Sequence, residues 1–204
     1  AVRWYKLAAA QGVASAQYNL GVIHDHGEGV AQDFTEAVRW YQLAAAQGIT
    51  FAQLNLGIMY EKGRGVAQDY KTAMRLYELT ATQGLARAQL NLGHMYSKGL
   101  GVAQSYPEAI RWYKLSAVQG FADAQYNLGV MYDEGKGVAR NYAEAVRLYK
   151  LAASQGFAFA QHNLGVMYEE GQGVAQNYLE ALRLFKLAAA QGLALSQTHL
   201  GYMY

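Results

Sequence analysis

Apolar residues in this chain recur at helical spacing within short stretches, and glycines separate one stretch from the next. In the segment from residue 122 to 133, which we name helix A, the apolar positions are Ala124, Leu128, Met131 and Tyr132. In the following segment, which we name helix B, they are Ala145, Leu148, Tyr149, Ala152 and Ala153. Residues three and four apart share one face of a helix, so the pattern predicts two amphipathic helices.

Polar residues and glycines mark the predicted ends of these helices. Gly135 and Gly137 end helix A and Gly156 ends helix B, because glycine accepts the left-handed conformation that a helix C-cap needs. Asn141, followed three residues later by Glu144, predicts a capping box at the start of helix B. The same pair recurs as Asp33/Glu36, Asp69/Thr72, Ser105/Glu108 and Asn177/Glu180.

The two-helix unit repeats every 36 residues without insertion or deletion. Its marker is a Gln-Gly step at Gln11-Gly12, Gln47-Gly48, Gln83-Gly84, Gln119-Gly120, Gln155-Gly156 and Gln191-Gly192. A fixed period of this length predicts an all-α solenoid in which each unit packs on its neighbours. We assign residues 1–204 to one array, with full repeats 13–48, 49–84, 85–120, 121–156 and 157–192 and half repeats 1–12 and 193–204. Because the chain opens and closes inside the pattern, we expect it to be part of a longer array.

Composition excludes several classes of function. The net charge is +2 and only 16% of the residues are charged, so we predict no nucleic-acid partner, which would require clustered basic residues. The chain contains no cysteine, which excludes disulfides, thiolate zinc sites and a cysteine nucleophile. No run of apolar residues approaches the length of a membrane span, so we predict no direct membrane insertion.

Histidines and paired glycines are the residues that could carry metal or phosphate chemistry. His24 and His26 flank Asp25, but this spacing does not put two imidazoles on one side of a helix, and no fourth ligand follows. The Gly-x-Gly steps lack the preceding strand of a phosphate-binding loop. No nucleophile, base and acid occur together, so we predict no catalytic residue, no cofactor and no metal site.

The repeating residues resemble a known family. Ala-x-Ala-Gln-x-Asn-Leu-Gly-x-Met-Tyr, then Gly-x-Gly-Val, then Tyr-x-Glu-Ala-x-Arg-x-Tyr-x-Leu-Ala-Ala-x-Gln-Gly is similar to the Sel1-like repeat, a relative of the tetratricopeptide repeat. The resemblance implies a right-handed superhelix of helix pairs with helix A on the concave side, and adaptor or scaffold work. It slightly favours a bacterial envelope or secreted location over a cytoplasmic one. A cysteine-rich branch has been linked to penicillin binding, but this chain lacks its cysteines.

Residues that change from repeat to repeat on one face of helix A are our candidates for partner binding, whereas types present in every repeat are most simply explained by the fold. The changing rows begin at Ser15, Tyr18, Val22 and Asp25, three or four residues apart. We predict partner contacts at Tyr18, Phe51, Leu54, Leu90, His94, Tyr126, Phe159, His162, Thr198 and Tyr202. The alternative is that the rows of Tyr18 and Val22 partly pack between neighbouring repeats.

The predicted function is therefore a non-enzymatic scaffold that binds a protein or extended peptide on the helix A surface. Two alternatives from other classes remain. The first is a self-assembling array that associates end to end through its terminal helices. The second is a cell-wall or β-lactam hydrolase, by analogy with the cysteine-rich branch, which no residue set in this chain supports.

Overall fold

The structure, a computed structural model, describes the backbone of residues 2–203 and the side chains of residues 2–202. Residues 1 and 204, the outer ends of the two predicted half repeats, lie outside the described residues. Within residues 2–203 there are α-helices and no strands. The helices are α1 (Val2–Ala10), α2 (Ala14–His26), α3 (Phe34–Ala46), α4 (Thr50–Lys62), α5 (Tyr70–Thr82), α6 (Ala86–Lys98), α7 (Tyr106–Val118), α8 (Ala122–Glu134), α9 (Tyr142–Ser154), α10 (Ala158–Glu170), α11 (Tyr178–Ala190) and α12 (Ala194–Met203).

Even-numbered helices are the predicted A helices and odd-numbered ones the B helices. The chain forms two compact units, residues 1–104 with α1–α6 and residues 105–204 with α7–α12. Within each unit, every helix packs on the helix before it and the helix after it along the chain. This is the nearest-neighbour packing that a repeat array predicts.

A glycine in helix A lets an aromatic ring of helix B lie against its backbone. A Cβ atom on Gly129 would stand 2.7 Å from the ring of Tyr149, and one on Gly57 would stand 2.7 Å from Tyr77. Both rings are completely buried. Gly129 therefore permits close contact between the two helices, since any side chain there would displace the central ring of the repeat.

The apolar core continues across each repeat boundary. In the first unit, one cluster joins Ala37, Val38, Tyr41 and Ala44 of α3 to Ala52, Leu56 and Met59 of α4. In the second unit, the equivalent cluster joins α9 to α10 and includes Leu184 of α11. Helix B therefore buries one side against its own helix A and another against helix A of the next repeat.

The predicted capping box is half right. The Asn141 side chain accepts a hydrogen bond from the backbone N–H of Glu144 at 3.0 Å, and the equivalent residues cap their helices in the same way. The Asn141 N–H, however, donates to the carbonyl oxygen of Tyr132 in helix A. Glu144 binds Arg147 instead, at 2.7 Å. The predicted reciprocal bond to Glu144 is therefore wrong, because the Asn141 N–H already donates to a carbonyl oxygen of helix A.

The second glycine of the Gly-x-Gly step is a contact between repeats. Gly137 has φ +71°, and a Cβ atom there would lie 2.4 Å from the Cβ of Tyr106, at the start of helix B in the preceding repeat. Gly173 approaches Tyr142 in the same way. The step therefore needs glycine both for its left-handed backbone and for the close approach of the neighbouring repeat.

Glutamine side chains tie the start of helix A to helix B on both sides. Gln17 donates to the carbonyl oxygen of Ala9 in the preceding helix B, at 3.3 Å, and its own side-chain oxygen accepts from Gln47 at 2.7 Å. Gln125 and Gln155 repeat this arrangement in the second unit. The glutamine of the Gln-Gly step therefore has a structural role, because it donates a hydrogen bond to the buried side-chain oxygen of the other glutamine in its repeat.

Candidate binding surface on helix A

The predicted partner contacts differ widely in exposure. Phe51 and Phe159 are 55% and 47% exposed, and His94, Thr198 and Tyr202 are exposed as well. Tyr18 and Tyr126 are half-buried. Leu54, Leu90 and His162 are buried, with 6%, 7% and 9% of their surface accessible. Because these last three side chains are largely removed from solvent, we do not include them in a candidate binding surface.

In the first unit, Tyr18 and Phe51 form a small aromatic surface. Their ring centroids are 6.5 Å apart, and the Tyr18 ring also lies 6.2 Å from that of Tyr41, which is completely buried. Tyr18 thus connects the core of its repeat to the exposed ring of Phe51 in the next repeat. We name Tyr18 and Phe51 the first aromatic pad.

In the second unit, the same arrangement returns three repeats later. Tyr126 lies 5.9 Å from the buried ring of Tyr149 and 6.1 Å from the exposed ring of Phe159. Phe157, the N-cap residue of α10, packs on both Tyr126 and Phe159 at 5.2 and 6.0 Å. We name Tyr126, Phe157 and Phe159 the second aromatic pad. Phe157 was missed by the sequence analysis, because a helix-start residue carries no signal in a comparison of helix faces.

His162 occupies the position of Tyr126 in the next repeat, but it belongs to a partly buried polar cluster. Its Nδ1 lies 2.9 Å from the hydroxyl oxygen of Ser196, and its ring lies 5.4 Å from that of His199. His199 in turn contacts the Glu169 carboxylate through Nε2 at 3.2 Å. Burial lowers the pKa of His162 below its ordinary value, and the neighbouring His199 lowers it further.

The acidic residues at the end of helix A face inward rather than toward a partner. Tyr149 donates its hydroxyl to the Asp133 carboxylate at 3.1 Å, and the Asn163 amide of the next repeat donates to Tyr149 at 3.3 Å. Asp25 accepts from Tyr41 in the first unit. Burial raises the pKa of Asp133, although the hydrogen bond from Tyr149 opposes the rise. These carboxylates are therefore committed to bonds within the fold.

Metal and catalytic chemistry have little support in the part of the chain that is described. No group of three histidine, cysteine, aspartate or glutamate side chains there could hold a metal ion. His26 lies 3.5 Å from Glu28, whereas Nδ1 of the half-buried His24 has no hydrogen-bond partner among those residues. Ser196 and His162 form a hydroxyl–imidazole pair, but Ser196 is completely buried. Across residues 2–203, no helix is long and apolar enough to cross a membrane.

Solved structures similar to this chain are Sel1 repeat proteins. One is a protective antigen present in uropathogenic Escherichia coli strains, with a TM-score of 0.92 and 40% identity over 98% of this chain and 43% of its own. Another is a Sel1 repeat protein from Oxalobacter formigenes, with a TM-score of 0.85 and 34% identity over 92% of this chain and 75% of its own. The chain thus spans less than half the length of the first relative. No match was found among the curated proteins.

The family model of the Sel1 repeat matches residues 1–13, 14–49, 50–85, 86–121, 122–157 and 158–193. These matches cover almost the whole chain, and together with the structural likeness they confirm the all-α repeat superhelix as the fold class. Proteins built from such repeats are generally protein-interaction scaffolds and typically non-catalytic. The chain belongs to the Sel1 repeat family.

Proposed function

We propose that this chain is a non-catalytic scaffold whose two aromatic pads each bind an apolar side chain of a partner protein. The observation that carries the proposal is the exposure of Phe51 and Phe159 beside tyrosines that are anchored on buried rings. The family's general role in protein interaction supports the proposal and does not identify the partner.

The pads have the physical properties of interface anchors. Aromatic residues carry a large share of binding energy at interfaces, and they lose little side-chain entropy because only two torsions must be fixed. Phe159 is already held by Tyr126 and Phe157, so further ordering on binding is small. An apolar side chain that covers Phe51 or Phe159 would remove exposed apolar surface from water, which favours association.

A capture experiment with a matched control tests this function. The chain is immobilised beside the Phe51→Ala/Phe159→Ala variant and the Leu79→Ala variant, and each is exposed to a lysate of the cells that produce it. Leu79 is 47% exposed on helix B, so it controls for the loss of an exposed apolar side chain. We expect a protein that the unchanged chain and Leu79→Ala retain and the double variant loses. Equal retention by all three would refute the pads as the binding site.

Self-association remains a second candidate, because apolar side chains are also exposed on α1 and α12. Trp4 is 70% exposed, and Tyr202 is 84% exposed. A contact between unlike surfaces of two copies would produce rings or open filaments. Light scattering over a range of protein concentrations tests this candidate. A mass that rises with concentration and falls back in Trp4→Ala supports it, and a constant monomer mass removes it.

We also propose an envelope or extracellular location. The support is that a relative with 40% identity is described as a protective antigen, since antigens that protect are generally open to antibodies. An antibody raised against this chain should label intact producing cells. Labelling that appears only after the cells are permeabilised would contradict the location.

A further inference from the structure

The B helices of the second unit expose a leucine at the same position in each repeat. Leu115, Leu151 and Leu187 are 44%, 40% and 41% exposed. Each follows directly after a lysine, namely Lys114, Lys150 and Lys186. Each leucine side chain therefore keeps a substantial part of its apolar surface in contact with water, and a partner could cover that part.

Two clefts are lined by two of these leucines, Leu151 and Leu187. The first cleft lies between α7 and α9, with α8 as its floor, and has a volume of about 510 Å³. The second cleft lies between α9 and α11, with α10 as its floor, and has a volume of about 470 Å³. Corresponding residues of successive repeats line the two clefts, so they are two copies of one site. In the first cleft these residues include Lys114, Leu128, Glu144, Arg147 and Leu151.

Each cleft has an excess of positive charge. In the first cleft, the Glu144 carboxylate binds Arg147 through two hydrogen bonds of 2.9 and 2.7 Å, and this contact lowers the pKa of Glu144. The pair is internally neutral. The ammonium of Lys114 lies 5.9 Å from the ring centroid of Tyr132 and supplies the remaining charge. In the second cleft, Lys150 has the same relation to Tyr168, at 5.4 Å.

The excess charge distinguishes the second unit from part of the first. At the position of Lys114, α3 carries Gln42 and α5 carries Glu78, although Leu43 and Leu79 are exposed in the same way as Leu115. The leucine is therefore present in every repeat, whereas lysine recurs in consecutive repeats only in the second unit. A ligand that needs both groups in two consecutive repeats would therefore select the second unit.

We propose that the two clefts bind an acidic segment of a partner protein. In each cleft, one carboxylate would bind the lysine, Lys114 or Lys150, and one aliphatic side chain would pack on the leucine, Leu151 or Leu187. This surface is separate from the aromatic pads of helix A. Because the two clefts repeat the same chemistry, the segment should present acidic and aliphatic residues in a repeating pattern. A concave cleft that also holds a Glu–Arg pair suits a peptide better than the flat surface of a lipid bilayer, so the segment is a peptide.

A labelled peptide of known composition tests the proposal. The probe is a fluorescein-labelled peptide of about twelve residues made of repeated Asp-Leu-Glu, which spans roughly 40 Å when extended. Its control has Asn-Leu-Gln in place of Asp-Leu-Glu. Fluorescence anisotropy with the whole chain should show binding of the acidic probe that weakens with added salt and weak or no binding of the amide control, because exposed charges are screened.

Two double variants locate the site. Lys114→Gln/Lys150→Gln should weaken binding of the acidic probe about fivefold or more, as expected for the loss of two partly exposed ion pairs. Lys62→Gln/Lys98→Gln removes the same charge from exposed positions at the ends of α4 and α6 and should bind as the unchanged chain does. Circular dichroism should show equal helix content in all three proteins, since every substituted side chain is exposed.

Each other result overturns the proposal. No binding of the acidic probe excludes the ligand class. Equal weakening in both double variants shows attraction by net charge alone, and equal binding of the amide control shows that the carboxylates are not recognised. Vesicles of phosphatidylcholine with phosphatidylserine serve as a further arm. If they bind the chain through Lys114 and Lys150 while the peptide does not, the surface recognises membranes instead of a protein.

Discussion

Thr50 donates its hydroxyl to the side-chain oxygen of Gln83 at 2.7 Å, and this bond removes Gln83 from the place its equivalents occupy. In other repeats the second glutamine donates to the first, as Gln47 does to Gln17. The side-chain oxygen of Gln53 is consequently buried without a partner among the described residues. Every other repeat has alanine at the position of Thr50.

Thr50→Ala should therefore stabilise the chain. Without the threonine hydroxyl, Gln83 can donate to Gln53, and satisfying a buried acceptor is worth about 1 kcal/mol. We expect a higher midpoint of urea unfolding. The mirror variant Ala14→Thr should lower the midpoint, because it offers Gln47 the same diversion from Gln17. A decrease in the midpoint for Thr50→Ala would show that the exposed Thr50–Gln83 bond is worth more than the buried one.

Alanine substitutions at two glycines with the same backbone conformation would distinguish the cost of backbone strain from the cost of steric contact. Gly137 and Gly29 have φ of +71° and +74°, but only Gly137 has a neighbour, Tyr106, where a Cβ would stand. Gly29→Ala should lower the free energy of unfolding by about 1 kcal/mol, the cost of a left-handed alanine. Gly137→Ala should cost more than about 2 kcal/mol, because overpacking adds to that strain. Equal losses in chemical denaturation would mean that the repeats separate easily at this loop.

Stability should fall as pH drops below about 6.5, the ordinary pKa of histidine, in part through His162. Because burial lowers the pKa of His162 in the folded chain, the unfolded chain takes up this proton first, and stability decreases until the pH passes the folded pKa. The charged or titratable groups that face His162 are His199 and Glu169.

The variant His162→Leu/Ser196→Ala isolates this effect, since it restores residue types found at these positions in other repeats. Between about pH 7.5 and pH 5, its melting temperature should decrease less than that of the unchanged chain. An equal decrease in melting temperature for the double variant and the unchanged chain would show that folding does not change the pKa of His162.

The fold could be predicted from the sequence because every repeat places similar residue types at equivalent packing positions. Gly129 and Tyr149 recur in register, and a 3.6-residue apolar period needs no knowledge of distant contacts. Bonds between polar side chains could not be predicted in this way. The Gln17–Gln47 bond joins residues that are thirty positions apart, and periodicity shows where apolar groups are buried but not which buried amides meet.

The binding surface was harder to predict, because variation among repeats does not separate contact from packing. Phe51 and Leu54 both vary, yet one is 55% exposed and the other 6%. Constancy among repeats does not separate contact from packing either, since Leu115 is 44% exposed although every repeat has leucine at that position. Exposure depends on the angle between neighbouring helices, which no local pattern contains.

Tyr149 and Phe185 occupy the same position in successive repeats but have different polar neighbours, and we expect one arrangement to be convertible into the other. Phe185 has no hydroxyl, its ring stacks on His199 at 4.7 Å, and His199 binds Glu169, the equivalent of Asp133. Tyr149→Phe alone should lower the free energy of unfolding by about 1 kcal/mol, because the half-buried Asp133 loses a hydrogen-bond donor. Asn163→His alone should also be unfavourable, since it crowds the Tyr149 hydroxyl.

The double variant Tyr149→Phe/Asn163→His should recover stability, because its histidine can stack on the new phenylalanine and donate to Asp133. The coupling free energy from the four denaturation curves should therefore be favourable, within the range of about 0.5–3 kcal/mol for residues in contact. Tyr41→Phe paired with Asn163→His is the control, because these residues contact different repeats and their effects should add. Additive effects for Tyr149 and Asn163 would mean that the arrangement at Phe185 depends on Ser196 and His162 as well.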